Sequence, residues 1–408
     1  MIKSKTDKVV SLGEFIALMA MFVSLTAMSI DMVLPALSLI GTELNAGDGN
    51  HTQYIISSLF VGFTLGQLVT GPIADSFGRK FAVYLGLAIF IIGSALCLVS
   101  TSFPIMLVGR SLQGLGAAAP RIISLTMTRD KYQGRDMARV SSFVMAVFIL
   151  VPVIAPSFGQ AILFFVSWRF IFGIFLIAAL SITALTYFRL PETLKLEDKK
   201  PFSVKAIWHG TCKVMSNKTT LGYTICAGLI FGALVGYLNL SRQIFQDYYQ
   251  VGARFSLYFS VSAISIGASS IFNSAIVKRY GMRLICHYAL LIMIVVTTLF
   301  LIFFFWISNQ SLEQVPIWAF MGYITIIFFC LGLLFGNLNA MAMEPMGHFA
   351  GIASGIIGSL SSAISVIIGT VIGQSYNNSL QPLIIGFLAL SIAAFTLQHF
   401  LPKSGDNK

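Results

Sequence analysis

The chain has 408 residues, of which 57% are hydrophobic and only 10% charged, against roughly 25% charged in soluble domains. That composition excludes a soluble domain of any size and puts most of the chain in a bilayer. The formal net charge of +11 is no sign of nucleic-acid binding, because membrane proteins collect Lys and Arg on cytoplasmic loops for topological reasons.

Apolar runs long enough to span a bilayer, about 17–25 residues each, recur near residues 14–36, 53–75, 80–100, 104–128, 139–163, 168–189, 219–241, 254–277, 284–307, 315–340, 350–373 and 381–401. The pattern predicts an all-α membrane protein of twelve transmembrane helices. With the N-terminus inside, only Arg169, Arg242 and Arg254 fall outside, and Arg110 and Arg121 within spans, so both termini are expected in the cytoplasm. Cys97, Cys212, Cys226, Cys286 and Cys330 lack the pairing of a disulfide framework or the ligand spacing of a zinc site.

The first run follows basic residues as a signal peptide's would, but it is long, has no convincing cleavage site and carries Asp31 near its outer end. It reads as a retained span. The second ends in GPIADSFGRK, Gly71–Lys80, where Asp75 closes the helix, Gly78 permits a tight turn and Arg79 starts the next span. The fourth is the costly one, since an arginine at mid-bilayer costs roughly 2.5–3.5 kcal/mol and a leucine returns only roughly 0.3–0.6. Arg110 and Arg121 are eleven residues apart, about three turns plus 20° of helix, so both guanidinium groups share one stripe that must face water or protein.

Asp31 lies about as deep from the outer boundary as Arg110. A guanidinium at hand keeps a carboxylate ionised, and its departure favours protonation, a switch that can couple proton binding to conformation. A permanent structural ion pair is the competing reading. Gly114, Gly116 and Ala119 spell GxGxxA, but a dinucleotide fingerprint must follow a strand and open a helix. Inside a span, such glycines mean close helix packing. In the fifth span, Pro152, Pro156 and Gly159 of VPVIAPSFGQ predict a bend.

The stretch 190–218 is the longest polar interruption and divides an N-terminal six-helix bundle, 1–189, from a C-terminal one, 219–408. A repeat supports the division. GPIADSFGRK aligns with SAIVKRYGMR at Ser274–Arg283, 203 residues later, each on a short loop after the second span of its half. The second copy replaces Asp75 with Lys278.

Taken in order, DMVLPAL, GQLVTGPIADSFGRK, GRSLQGLGAAA, TRD, PVIAPSFGQ, SWRFIF and LPETL resemble the major facilitator superfamily, specifically its drug–proton antiporters of the bicyclomycin/chloramphenicol resistance (Bcr/CflA) type. The resemblance implies a conformational latch at Gly71, Asp75, Gly78 and Arg79. It implies proton coupling at Asp31, Arg110, Gln113 and Gly114, and a helix-kink motif at Pro152, Pro156 and Gly159. Arg121 departs from that pattern, as does Arg242 at the outer end of the seventh span. As cavity arginines they would meet an anionic group, and as bland ones they would snorkel to headgroups. Asn239, Asn337 and Asn339 would prefer a wet cavity to lipid, and Tyr237 could supply an aromatic wall. These six are the candidate substrate residues.

The expectation is therefore a monomeric, proton-coupled exporter of small molecules in a bacterial inner membrane, driven by the proton gradient without cofactor or metal. The alternative is proton-coupled transport of an organic anion such as a siderophore or carboxylate, possible in the import direction. An enzyme is not expected, because His51, His209, His287, His348 and His399 are isolated and no HExxH, serine-elbow or Walker pattern occurs.

Overall fold

A computed structural model describes residues 10–199, 201–309 and 314–402. The chain's two ends, expected in the cytoplasm, lie outside the described residues. Twelve long helices form two sets of six: α1 Leu12–Asp31, α2 Tyr54–Phe77, α3 Arg79–Leu98, α4 Phe103–Lys131, α5 Gly134–Phe165 and α6 Arg169–Arg189, then α7 Lys218–Arg242, α8 Phe255–Tyr280, α9 Met282–Asn309, α10 Ile317–Met343, α11 Ala350–Gln374 and α12 Gln381–Phe400. No strand occurs among the described residues.

Eleven of these segments are long and apolar enough to cross a membrane. The twelfth, α4, is long enough at 29 residues but too polar, because it carries Arg110, Gln113 and Arg121. It survives in the bilayer by facing protein: α2 and α3 press against it from two sides and α1 from a third. Gly62 on α2 and Gly114 on α4 meet so closely that a Cβ on either would overlap the other helix's backbone, and Gly86 and Gly116 do the same between α3 and α4. Where lipid offers no hydrophobic drive between helices, such close backbone approach supplies the packing contacts.

Local sequence sets the helix ends. Ser11 caps α1, its Oγ accepting from the Glu14 amide at 3.3 Å, and Asn217 caps α7 through the Thr220 amide at 2.9 Å. The helix α1 stops at Asp31, four residues before Pro35, whose ring and missing N–H break the ladder there. The chain then continues through a short turn into Leu37–Glu43, so the first membrane segment runs past the predicted boundary at 36. The stretch 190–218 is not merely a connector, for it contains a helix, Val204–Ser216, whose Gly210 lies against Ile352 and Ile356 of α11.

The two sets of six meet through α2 against α11 and α5 against α8. These are repeat-related contacts, since replacing each helix by its counterpart in the other half, α2 by α8 and α11 by α5, turns one pair into the other. Backbone geometry confirms the repeat. Gly78 between α2 and α3 has φ +116° and its counterpart Gly281 between α8 and α9 has φ +76°, a region only glycine enters freely.

Candidate functional site

At the Arg79 end of the bundle, the structure brings together Asp75, Gly78 and Arg79 of the expected latch. Arg79 pairs with Asp75 through Nη1, and with Asp130 through Nε at 3.0 Å. Glu192 of the LPETL segment caps α3: its two carboxylate oxygens accept from the Arg79 and Lys80 amides, each at 3.0 Å. Thr193 Oγ1 donates to Asp130 at 3.0 Å. Gly78 is required twice, by its positive φ and because a Cβ would sit 2.7 Å from Glu192 Oε2. Sequence reasoning named Gly71, Asp75, Gly78 and Arg79 but not Asp130, Glu192 or Thr193. Their signal was present in TRD and LPETL, whose role could not be seen without contacts 51 to 113 residues apart in the chain. The second-half copy is built differently, as Lys278 requires. Arg283 donates from Nη1 to the carbonyl of Pro402 at 2.6 Å and from Nη2 to that of Leu401 at 2.8 Å, so backbone carbonyls at the end of α12 are its acceptors.

Within α4, Arg110 is fully buried. Its Nε donates to the Ile55 carbonyl of α2 at 3.1 Å and its Nη1 to Gln113 Oε1 at 2.8 Å, while Gln113 Nε2 donates to Ser94 Oγ on α3 at 2.8 Å. The ring of Phe172 lies 6.0 Å from the guanidinium. Nη2 is buried without a partner. Gln113 thus orients the arginine, whereas Gly114 serves the α2–α4 approach, lying against Leu59 and Phe63.

The expected pairing of Asp31 with Arg110 is not made. The depth match is real, since Thr26 Oγ1 donates to the Ala117 carbonyl at 3.0 Å and keys α1 to α4 below both residues. Depth is not direction, however, and Arg110 turns toward α2 and Gln113. Asp31 is buried at 5% exposure and has no hydrogen bond or ion pair among the described residues. The site therefore holds two uncompensated charge-bearing groups, an arrangement that is costly unless another state or a proton compensates it.

The kink motif lies in an unbroken helix, α5. Gly159 passes the end of α1 where a Cβ would overlap the Met32 carbonyl, and beside Pro152 the Val153 carbonyl accepts from Ser260 Oγ of α8 at 2.5 Å. The motif thus sits where the two halves touch.

A larger contact between halves, absent from the sequence reading, closes the other end of the bundle. Gln53 Nε2 donates to Gln243 Oε1 at 2.5 Å and to the Gly373 carbonyl at 3.0 Å. Gln243 Nε2 donates to Asn50 Oδ1 at 2.7 Å, Gln374 Nε2 to the Asn50 carbonyl at 2.9 Å, and Asn50 Nδ2 to the Tyr376 carbonyl at 3.1 Å. Deeper along α2 and α11, Thr370 Oγ1 donates to Ser57 Oγ at 2.9 Å and Gln67 Nε2 to Ser362 Oγ at 2.8 Å. The seal is made of carboxamides and hydroxyls, with no charged side chain in these bonds.

Four of the six candidate substrate residues are occupied elsewhere. Tyr237 is fully buried, its hydroxyl 3.1 Å from Ser262 Oγ and its ring against Phe259 and Phe328, so it is core. Arg242 pairs with Asp247 five residues on, at 2.9 Å, because the chain widens there into a π-helical turn, Gln243–Tyr248. Asn239 donates to the Gly369 carbonyl at 3.0 Å inside the contact of α7 with α11. Asn337 donates to Asn273 Oδ1 at 2.8 Å. Asn339 donates only to the Phe335 carbonyl of its own helix, at 2.8 Å, and is half-buried. Arg121, also half-buried, lies between the rings of Phe63 and Phe148, 5.2 and 5.4 Å from their centres.

Comparison with known proteins identifies the family. The family model of the Major Facilitator Superfamily matches residues 17–370. Among curated proteins, an uncharacterised MFS-type transporter of Bacillus subtilis is 29% identical, with 87% of each chain covered. A bicyclomycin resistance protein homolog of Haemophilus influenzae is 28% identical, covering 95% of this chain and 96% of its own. Multidrug resistance protein MdtL of Shigella flexneri is 25% identical, with 91% of each chain covered. Among solved structures, the human organic anion transporter MFSD10 superposes with a TM-score of 0.64 at 15% identity, over 95% of this chain and 99% of that one, which shows the fold alone. The chain belongs to the major facilitator superfamily, a family of membrane transporters and not of enzymes, and it sits among relatives of the drug–proton antiporter type.

Proposed function

We propose that this protein is a proton-coupled exporter of small molecules that works by alternating access in the inner membrane of a bacterium, as a monomer and without a cofactor. The two moving bodies are residues 1–189 and 219–408, tied by 190–218. Charge bias puts the Arg79 end in the cytoplasm with both termini. The carboxamide seal then closes the outer end.

The observation that carries the reading is Asp31, buried at the seal end of the bundle with no partner among the described residues, at the depth of an arginine that has an unpaired Nη2. Proton binding removes the charge that would draw Asp31 to Arg110; proton loss restores it and, with it, the pull of α1 toward α4. The Asp75–Arg79–Asp130 latch and its Glu192 cap hold the ends of α2, α3 and α4 together, so they move as one body during the exchange. The names of the bicyclomycin and multidrug resistance relatives support export of drug-like compounds.

The test is Asp31→Asn in proteoliposomes. Substrate binding to the purified variant should persist, while transport driven by an imposed pH gradient falls to the level of empty vesicles. Undiminished gradient-driven flux sinks the assignment.

A further inference from the structure

The substrate class can be read from Arg121, on the premise above that this is a small-molecule transporter with its binding space between the halves. Three observations place the guanidinium there. Its two aromatic partners come from α2 and α5, the N-terminal helices that face the other half. Phe63 and Phe148 both lie near the middle of their helices, so the charge sits near the membrane midplane and does not snorkel toward headgroups. It is half-buried and, among the described residues, has no carboxylate and no hydrogen-bond acceptor. An arginine at that depth lacks a counter-ion that the protein itself does not supply.

The geometry around it narrows the ligand further. Rings beside a guanidinium hold it by its quadrupole attraction and leave the N–H edge as its recognition surface. That edge is a planar fork matched to a carboxylate. Next to Phe63 along α2, Phe60 packs edge-to-face on Phe231 of α7 at 5.9 Å, and Phe231 lies against Phe335 of α10 at 5.5 Å. Phe335 keeps 38% of its surface open. An aromatic wall therefore runs from the arginine's neighbour across to the other half.

We infer that Arg121 with Phe63 and Phe148 is the recognition site for an aromatic carboxylate, the carboxylate on the guanidinium edge and the ring on the phenylalanine wall. Arg121 is distinct from the arginine of the proton-coupling set: it lies eleven residues along α4 from Arg110, roughly 16 Å along the axis.

The experiment uses the purified full chain in detergent, without a gradient, and three probes: 1-naphthoate, its neutral analogue 1-naphthamide, and inorganic phosphate as competitor. The wild type should bind naphthoate at least about tenfold more tightly than the amide, or about 1.4 kcal/mol. Arg121→Ala should abolish that preference while leaving amide binding in place, Arg121→Lys should keep part of it, and Phe148→Ala should weaken both probes. If Arg121→Ala does not purify as a folded protein, Arg121→Lys and Phe148→Ala carry the test. Equal binding of naphthoate and amide by the wild type, or a preference that survives loss of Arg121, overturns the site. Displacement of naphthoate by phosphate at equal concentration overturns the aromatic part. Because binding needs no pH gradient, a failure here with gradient-driven flux intact condemns this inference alone, and failure of the Asp31 test leaves it standing.

Discussion

Replacing Gln53 by alanine should unlock the carboxamide seal. In the sealed state, Gln53 donates to Gln243 Oε1 at 2.5 Å and to the Gly373 carbonyl at 3.0 Å, and accepts from Gln374 Nε2 at 3.4 Å. It is 1% exposed, and Gln243 is 4% exposed. A neutral hydrogen bond contributes roughly 0.5–1.5 kcal/mol net, and two good bonds with one long one come to about 2 kcal/mol. When the halves part, the same groups reach water, so the loss falls on the sealed state only. Two kcal/mol is about a thirtyfold shift in the ratio of sealed to parted molecules. The assay is a spin-label distance between Asp48 and Asn377, exposed positions in the two halves next to the seal. Cys212, the exposed cysteine, is replaced by serine to clear the background; Cys97, Cys226, Cys286 and Cys330 are buried. A second, longer distance population should appear in Gln53→Ala and grow no further with salt, since the bonds named carry no charge. A distribution unchanged from wild type would refute the reasoning.

Two further outcomes follow from the Glu192 cap and the α2–α4 approach. Glu192→Ala removes the acceptors for the Arg79 and Lys80 amides and should cost about 0.5–2 kcal/mol of stability, the range for a lost helix cap, read as a lower melting temperature with Glu192→Gln between the two. Gly114→Val must push α2 and α4 apart, because a Cβ there overlaps the Leu59 carbonyl, and should abolish folded expression. Gly173→Ala on α6, with nothing within 4 Å of the added Cβ, should express at wild-type levels, and a similar loss in both variants would show that glycine packing is not the cause.

Much of this protein was legible in one dimension. Hydrophobic spans are a local signal, so twelve helices could be counted, and the one too polar to be scored by hydropathy was recognisable because its arginines share a stripe. Gly78 and Gly281 announced the repeat, since a left-handed turn between helices selects glycine wherever it occurs. Asp75 and Arg79 were also readable as members of one motif, being four residues apart across the Gly78 turn. Asp31 and Arg110 show where the reading stopped: spacing along two helices fixes their relative depth but not the direction in which a long side chain leaves its helix. Arg242 failed for a related reason, because a π-helical turn brought Asp247 onto it.

The tertiary structure alone decided the rest. The bonds of the seal join residues 190 to 326 positions apart in the chain, and nothing in the neighbourhood of Asn50, Gln53 or Gln243 marks them as partners. The sandwich around Arg121 likewise comes from two other helices. Composition and periodicity determine which segments enter the membrane and which face of each must avoid lipid, because that choice is between two solvents and each residue makes it locally. Which polar groups then satisfy one another, and which are left open to a proton or a ligand, depends on how the helices are rotated and paired, and only the packed bundle specifies that.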